Sequence, residues 1–417
     1  MLNFKELKAP LLYAFPALAI ALLGLPLYVY LPTFYAQDIG FGMFEVGAIL
    51  FLARFLDVLF DPVIGYVSDK FALRKSLMFF GSLILLMGFY FLTHPSNDAG
   101  YLWLFSFSVM VYFAWSMITV PYYALGADIS DSYHQNTAYA SAREFLNITG
   151  VLLALILPYV FHVSEDAKRS LELMFETIAF VLPLSMLIFM LKVKHKPIKQ
   201  SLLSFKEGIY SLFIQIKSSK QLFMSFFLNS FANAVPATLF LLYVELVIGE
   251  AQYTGALLLL YFLSGILALP LWIAISKRWS KKTAWILSMA SASFFFAFVP
   301  FLGPGDLYLF TAITLLSGLS LGADMALPAS MQADIAHKSA GSLFGFFAML
   351  SKLSLAFGVG LSFGVLGFFD FNVQAPSETS LVVLSLLYGL APLVLKLSAI
   401  IILNKYQERL QNHNQVT

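Results

Sequence analysis

The stretch RFLDVLFDPVIGYVSDK, residues 54–70, places Arg54, Asp57 and Asp61 inside an otherwise apolar run. At helical spacing two carboxylates four residues apart project from one face, and Arg54, three residues before Asp57, shares it. An ionisable group in hydrocarbon costs at least ~2.5–3.5 kcal/mol, so three on one face of a membrane helix mark a polar interior pathway. Pro62 has no N–H to offer the Val58 carbonyl, which leaves a third kind of oxygen near the same face. Two carboxylates and a carbonyl suit a small hard cation, Na+, Li+ or a proton; a transition metal expects nitrogen or sulfur. The competing reading is structural: Arg54 neutralises one aspartate, and the group ties helices together.

The rest of the chain supplies the membrane. Its 417 residues are 60% hydrophobic and 12% charged, with a mean hydropathy of +0.82, where a soluble chain carries roughly a quarter charged residues. Apolar runs long enough to cross about 30 Å of hydrocarbon recur throughout. The sequence predicts twelve spans, over 10–36, 43–68, 76–94, 101–127, 139–162, 172–192, 221–248, 253–276, 282–302, 306–331, 341–369 and 379–404. The first carries no small-residue cleavage site and reads as a retained helix. The fold class is an all-α polytopic membrane protein with twelve transmembrane helices in two six-helix bundles.

Charge placement orders these spans. Alternate flanks hold Lys5 and Lys8; Lys70, Arg74 and Lys75; seven lysines from Lys192 to Lys220; Lys277, Arg278, Lys281 and Lys282; Lys338; and Lys405 with Arg409. The opposite flanks hold only Lys168 and Arg169. Cytoplasmic loops carry the basic excess, so both termini are expected in the cytoplasm, here of a plasma (bacterial inner) membrane. The polar stretch 192–220 divides the chain into a first bundle over 1–192, a basic linker over 193–220 with a short surface helix at 201–217, a second bundle over 221–404, and a tail over 405–417. The halves echo each other: VPYYALGADI (120–129) and LPASMQADI (327–335) each carry a helix-breaking proline and then Ala-Asp-Ile. GYVSDKFALRKS and PLWIAISKRWSKKT are a looser pair. Parallel repeats of six helices are a transporter arrangement, with the substrate near the bilayer midplane.

Other chemistry is thin. With no cysteine there is no disulfide, thiolate catalyst or cysteine-held metal. No phosphate-binding glycine loop or nucleophile–base pair is visible, and the six histidines lack metal-ligand spacing, so an enzyme is not expected.

GYVSDKFALRK (65–75) resembles the loop between helices two and three of the major facilitator superfamily: Gly, four residues later Asp, then a basic residue, and two basic residues at the end. Ala72 stands where that pattern has a second glycine. Gly65 permits close helix approach and Asp69 can accept hydrogen bonds from a helix N-terminus; with Arg74 and Lys75 they form the expected conformational latch. More narrowly, RFLDVLFDPVIGYVSDK, VPYYAL, YASAREFLNITG, LNSFANAVPATLF and FFAMLSKLSLAFGVG resemble, in order, segments of the glycoside–pentoside–hexuronide cation symporters, the group of the melibiose carrier.

That resemblance implies roles. Asp57 and Asp61 serve the cation with a helix-four hydroxyl, here Ser116; Phe60 takes the place of the family's asparagine, which weakens Na+ against H+. Thr119 replaces the family's helix-four carboxylate and joins the cation-coupling set; the helix-one acid falls near Leu22. Arg54 and Lys352 are the charge partners, Lys352 from mid-span eleven, whereas Lys396 is expected to snorkel toward the cytoplasm. Tyr123 and Arg143 match the aromatic platform and arginine of the sugar site; Asn147, Asn229, Asn233 and Asp324 are further substrate candidates, the amides alternatively bonding between helices.

The expectation is a cation-coupled symporter, driven by Na+ or H+, for a sugar, sugar acid or other small organic solute, working by alternating access. Losing both family acids counts against a galactoside. A cation-coupled lipid or lysolipid transporter of the same fold is the alternative, and a non-transporting scaffold or sensor the third reading. The implied partners are membrane lipids, a small-molecule substrate and the transported cation, with no nucleic acid, no resident cofactor and a monomeric state.

Overall fold

A computed structural model of the chain describes residues 4–24, 26–130, 132–164, 166–194, 205–336, 339–372 and 376–408. Part of the linker (195–204), Lys338, and the tail from Arg409 onward lie outside these residues. The described chain is helical nearly throughout: α1 (Phe4–Leu22), α2 (Leu31–Gln37), α3 (Met43–Lys70), α4 (Arg74–Thr93), α5 (Tyr101–Asp128), α6 (Tyr133–Val160) and α7 (Ala167–Lys192), followed by the linker helix α8 (Phe205–Ser218). Then come α9 (Lys220–Tyr243), α10 (Thr254–Arg278), α11 (Lys281–Phe296), α12 (Leu307–Ile335), α13 (Ala340–Phe368) and α14 (Glu378–Asn404).

Among the described residues, eleven helical stretches are long and apolar enough to cross a membrane. The remaining long helix, α3, has the length, at 28 residues, but carries Glu45, Arg54, Asp57, Asp61, Asp69 and Lys70. Its polarity is turned inward. Phe55, Leu59 and Val63 are exposed while Asp57 and Asp61 are 2% and 0% exposed, the reverse of a soluble amphipathic helix.

Helix ends differ from the predicted spans for a physical reason. The sequence places span five at 139, yet α6 begins at Tyr133, capped by the Ser132 hydroxyl accepting from the Gln135 amide. Hydropathy fades where side chains turn polar, but backbone hydrogen bonding continues past that point. The first span is also not one α-helix: a π-helical turn over Pro26–Tyr30 separates α1 from α2, and a matching π-helical turn, Val244–Ile248, follows α9. The expected breaks at Pro121 and Pro328 do not occur; both prolines lie inside continuous helices. Membrane helices tolerate such prolines because neighbouring groups satisfy the freed carbonyls.

The chain divides into two compact units, one of residues 1–212 with 332–349, the other of 213–331 with 350–417. In the first, α1 packs on α6 and α7, and α5 on α3 and α4, around a core that includes Tyr13, Phe34, Tyr35, Phe89 and Phe189. In the second, α14 packs on α9 and α11, with Tyr243, Phe310 and Tyr388 central. The units reuse one device. Lys75 donates to the Met190 and Val193 carbonyls at the end of α7 (3.3 and 2.5 Å), and Lys282 donates to the Asn404 and Tyr406 carbonyls at the end of α14 (2.8 Å each). A cation at a helix C-terminus meets both orphan carbonyls and the negative end of the dipole.

Ala72, in the turn between α3 and α4, has φ +55°, a left-handed conformation that costs a non-glycine residue roughly 1–2 kcal/mol. Ala72→Gly removes that strain and adds about 0.4–1 kcal/mol of unfolded-state entropy. A net gain of about 0.5–1 kcal/mol is expected, read as a raised midpoint in thermal unfolding of the detergent-solubilised protein.

Candidate functional site

Among the described residues, four polar clusters lie within the helical units, and each brings together residues remote in sequence.

The first joins α3 to α5. The Ser116 hydroxyl lies 3.0 Å from Asp57 Oδ1 and 2.6 Å from Asp61 Oδ1, and all three residues are buried. A hydroxyl has one proton to donate, and an ionised carboxylate only accepts. Two such short contacts to carboxylate oxygens are satisfied together when a proton or cation joins the group. The arrangement is an acid pair bridged by a neutral hydroxyl, a set of oxygens whose chemistry suits a proton or a hard cation. The Thr119 hydroxyl, one turn further along α5, donates to the Trp115 carbonyl of its own helix at 3.0 Å, which leaves its oxygen lone pairs as acceptors. Arg54 does not take the expected carboxylate partner among the described residues. Its guanidinium lies over the Tyr28 ring, 4.4 Å from the centroid, and 5.4 Å from that of Tyr112, a cation–π seat. Phe60 turns to Phe113, edge to face at 5.1 Å. Lys352 is half-buried on α13 in the second unit.

The second cluster joins α1, α5 and α6. The Arg143 guanidinium lies 3.7 Å from the centroid of Tyr123. Its Nε and Nη2 both reach Glu144 Oε1, at 2.9 and 2.8 Å, and Asn147 donates to Glu144 Oε2 at 3.2 Å. Arg143 and Glu144 are each 3% exposed. Beside them Tyr13 and Tyr122 exchange bonds, each hydroxyl donating to the other's carbonyl at 2.9 Å, with the rings stacked. Tyr123 and Arg143 thus meet directly, and Asn147 joins them through Glu144. Glu144 is the member that the sequence reading missed. The signal in the sequence is a glutamate within the apolar run of span five; the spacing does not reveal its partner.

The third lies in the second unit. Asp324 of α12 accepts from Lys396 of α14 (2.9 Å), Asn233 of α9 (3.0 Å) and Trp285 of α11 (3.0 Å). Lys396 also donates to Asn229 Oδ1 at 2.7 Å. Lys396 does not snorkel: it is 4% exposed, and its ammonium pairs with a buried carboxylate. The nearer acid outweighs the distance to water, and that pairing is not legible from depth alone. Of the three residues expected to face a substrate, Asn233 donates directly to Asp324 and Asn229 is joined to it through Lys396.

At the α3–α4 turn, Asp69 accepts from the Gly341 and Ser342 amides (2.8 and 2.6 Å) and the Ser342 hydroxyl (2.7 Å). These amides belong to the first turn of α13, where unsatisfied N–H groups favour an anion. A Cβ on Gly65 would strike the Gly341 carbonyl, and one on Gly345 the Asp61 carbonyl, so α3 and α13 cross through glycines. Arg74 donates to Asp69, Asp128 and Ser68 at 2.8, 2.8 and 2.7 Å. Lys75, expected beside it, instead caps α7 as described; Asp128, Ser68 and Ser342 take part though the sequence reading did not assign them.

The family model described as MFS/sugar transport protein matches residues 12–407. The sodium-dependent lysophosphatidylcholine symporter 1 of Xenopus tropicalis is 23% identical over 431 aligned residues, 88% of this chain and 82% of that protein. Among solved structures, the fucose:proton symporter of E. coli superimposes with a TM-score of 0.71 at 14% identity, covering 94% of this chain and 98% of that one. A bacterial homologue of the iron transporter ferroportin gives 0.67 at 13% identity, covering 96% and 98%.

Proposed function

Because the chain belongs to the MFS/sugar transport family, a group of membrane transporters rather than enzymes, we propose that it is a Na+-coupled symporter of a small organic solute. It resides in the plasma membrane with both termini in the cytoplasm. The observation that carries the reading is the placement of Ser116 against both Asp57 and Asp61. An all-oxygen set with two acids suits a hard monovalent ion, and a relative matching most of the chain is named as sodium-dependent. Reversible loading gives the pair a reason to be buried in a membrane helix, where an uncoupled acid pair is a large cost. Tyr123 and Arg143 form the substrate platform, with Asn147 fixing Glu144 behind it. Asp69 at the α13 N-terminus, relayed through Arg74 to Asp128, is the latch of the transport cycle.

A second reading of the substrate, a lysolipid, is favoured by the name of that same relative, and an arginine beside an aromatic ring suits a phosphate headgroup as well as a sugar acid.

The test is ligand stabilisation of the purified protein with sugars, sugar acids and lysophospholipids, each in NaCl and in choline chloride at equal ionic strength. One of these classes is expected to raise the unfolding midpoint in Na+ more than in choline. A midpoint that does not depend on Na+ at constant pH overturns the Na+ assignment; a response to pH instead identifies the proton as the coupling ion.

A further inference from the structure

The second unit contains its own buried carboxylate, and the coupling scheme leaves it without a task. Asp324 is 8% exposed and Lys396 4% exposed, with Nζ 2.9 Å from Asp324 Oδ2 and 2.7 Å from Asn229 Oδ1. Those are the surroundings of a bound monovalent cation: one carboxylate oxygen and one amide oxygen converging on a positive centre. The positive centre here is an ammonium carried on a side chain. The carboxylate's other donors are neutral, Asn233 and Trp285, so among the described residues Lys396 is the cation that balances its charge. Four helices, α9, α11, α12 and α14, each contribute to this seat.

The contrast with the first unit is chemical. There, two carboxylates share one serine hydroxyl; here, one carboxylate has a covalently attached counter-ion at ion-pair distance. We propose that Lys396 is a tethered cation filling a monovalent-cation seat formed by Asp324 and Asn229. The second unit then needs no diffusible ion, and the transporter binds a single coupling cation per cycle. The inference rests on the reading of Asp57, Asp61 and Ser116 as the coupling site.

Removing the ammonium separates this proposal from a plain structural tie. Lys396→Met vacates the charge and leaves the oxygens, so a diffusible cation should enter. A tie predicts only lost stability, equal in every salt. The experiment is equilibrium binding of sodium-22 to the purified full-length protein, with thermal unfolding in NaCl and in choline chloride. The wild type is expected to bind one sodium per chain, Lys396→Met two, and Lys396→Met/Asp324→Asn one again. The unfolding midpoint of Lys396→Met should gain a Na+ dependence that exceeds the wild type's.

Lys396→Ala supplies a second measurement, since its wider cavity admits ethylammonium, the severed end of the lysine. Preparation in ethylammonium chloride should restore folded protein relative to choline. A wild type that binds no sodium defeats the coupling reading on its own, whatever the variants do. A wild type that binds one sodium, with Lys396→Met binding one and showing no added Na+ dependence, overturns the tethered-cation proposal. So does failure of both single variants to fold in any of these salts while the double variant folds.

Discussion

Asp61→Asn is expected to abolish Na+-driven accumulation in membrane vesicles while the protein remains folded. The amide retains the shape of the carboxyl and can still bond the Ser116 hydroxyl, which lies 2.6 Å from Asp61 Oδ1, so no cavity opens in the buried seat. What disappears is a formal charge from the group that must attract the cation. A bond to a charged group contributes about 1.5–3 kcal/mol, and each 1.4 kcal/mol is tenfold in affinity. Na+ affinity should therefore fall by roughly 10- to 150-fold. Accumulation should collapse toward equilibration at Na+ concentrations that load the wild type, because the weakened site is then mostly empty and couples to no gradient. Ser116→Ala removes a neutral ligand and should cost only about 1 kcal/mol, roughly fivefold in Na+ affinity. This ordering, with the acid far above the hydroxyl, is the signature of an ion seat. If Asp61→Asn binds Na+ and concentrates solute like the wild type, the acid pair has another purpose.

The sequence made the architecture legible because a bilayer imposes lengths and charge asymmetry that side chains report directly. It also singled out α3, since acids four residues apart in an apolar run are costly in a membrane helix. What it could not supply were partners across helices. Arg54 shares a face with Asp57 by spacing, yet a long side chain has more than one destination, and the Tyr28 and Tyr112 rings come from segments whose approach no local pattern encodes. The same holds for Lys75, which turns to the end of α7 rather than to Asp69, and for Lys396, which finds Asp324, 72 residues away in the chain. Glu144 was missed for the opposite reason. Adjacent helical residues do not ordinarily face each other, so nothing in the spacing marks the fold-back by which Arg143 reaches it. The resemblance to known symporters singled out Ser116 and Tyr123, which lie against the two aspartates and under the Arg143 guanidinium; the Thr119 hydroxyl, singled out with them, donates within its own helix.

That missed glutamate gives the other large effect. Arg143 and Glu144 are each 3% exposed and joined at 2.8 and 2.9 Å. Removing one member of a buried pair leaves an uncompensated charge and costs about 3–5 kcal/mol, while replacing both by apolar residues of similar volume is often neutral. Glu144→Gln should accordingly destabilise the protein by about 3–5 kcal/mol, and Arg143→Met by a similar amount. The double variant Arg143→Met/Glu144→Met should recover most of that loss, so the two single changes are strongly non-additive. Function should divide differently from stability. The double variant is expected to fold and to retain Na+ stabilisation, since Asp57, Asp61 and Ser116 are untouched, yet to lose the response to solute because the cation over Tyr123 is gone. Thermal unfolding of the four proteins, each with Na+ and with Na+ plus solute, reads both quantities at once. A double variant that still responds to solute removes Arg143 from the substrate site; one that loses the Na+ response together with the solute response shows that the pair holds the bundle in shape rather than binding cargo.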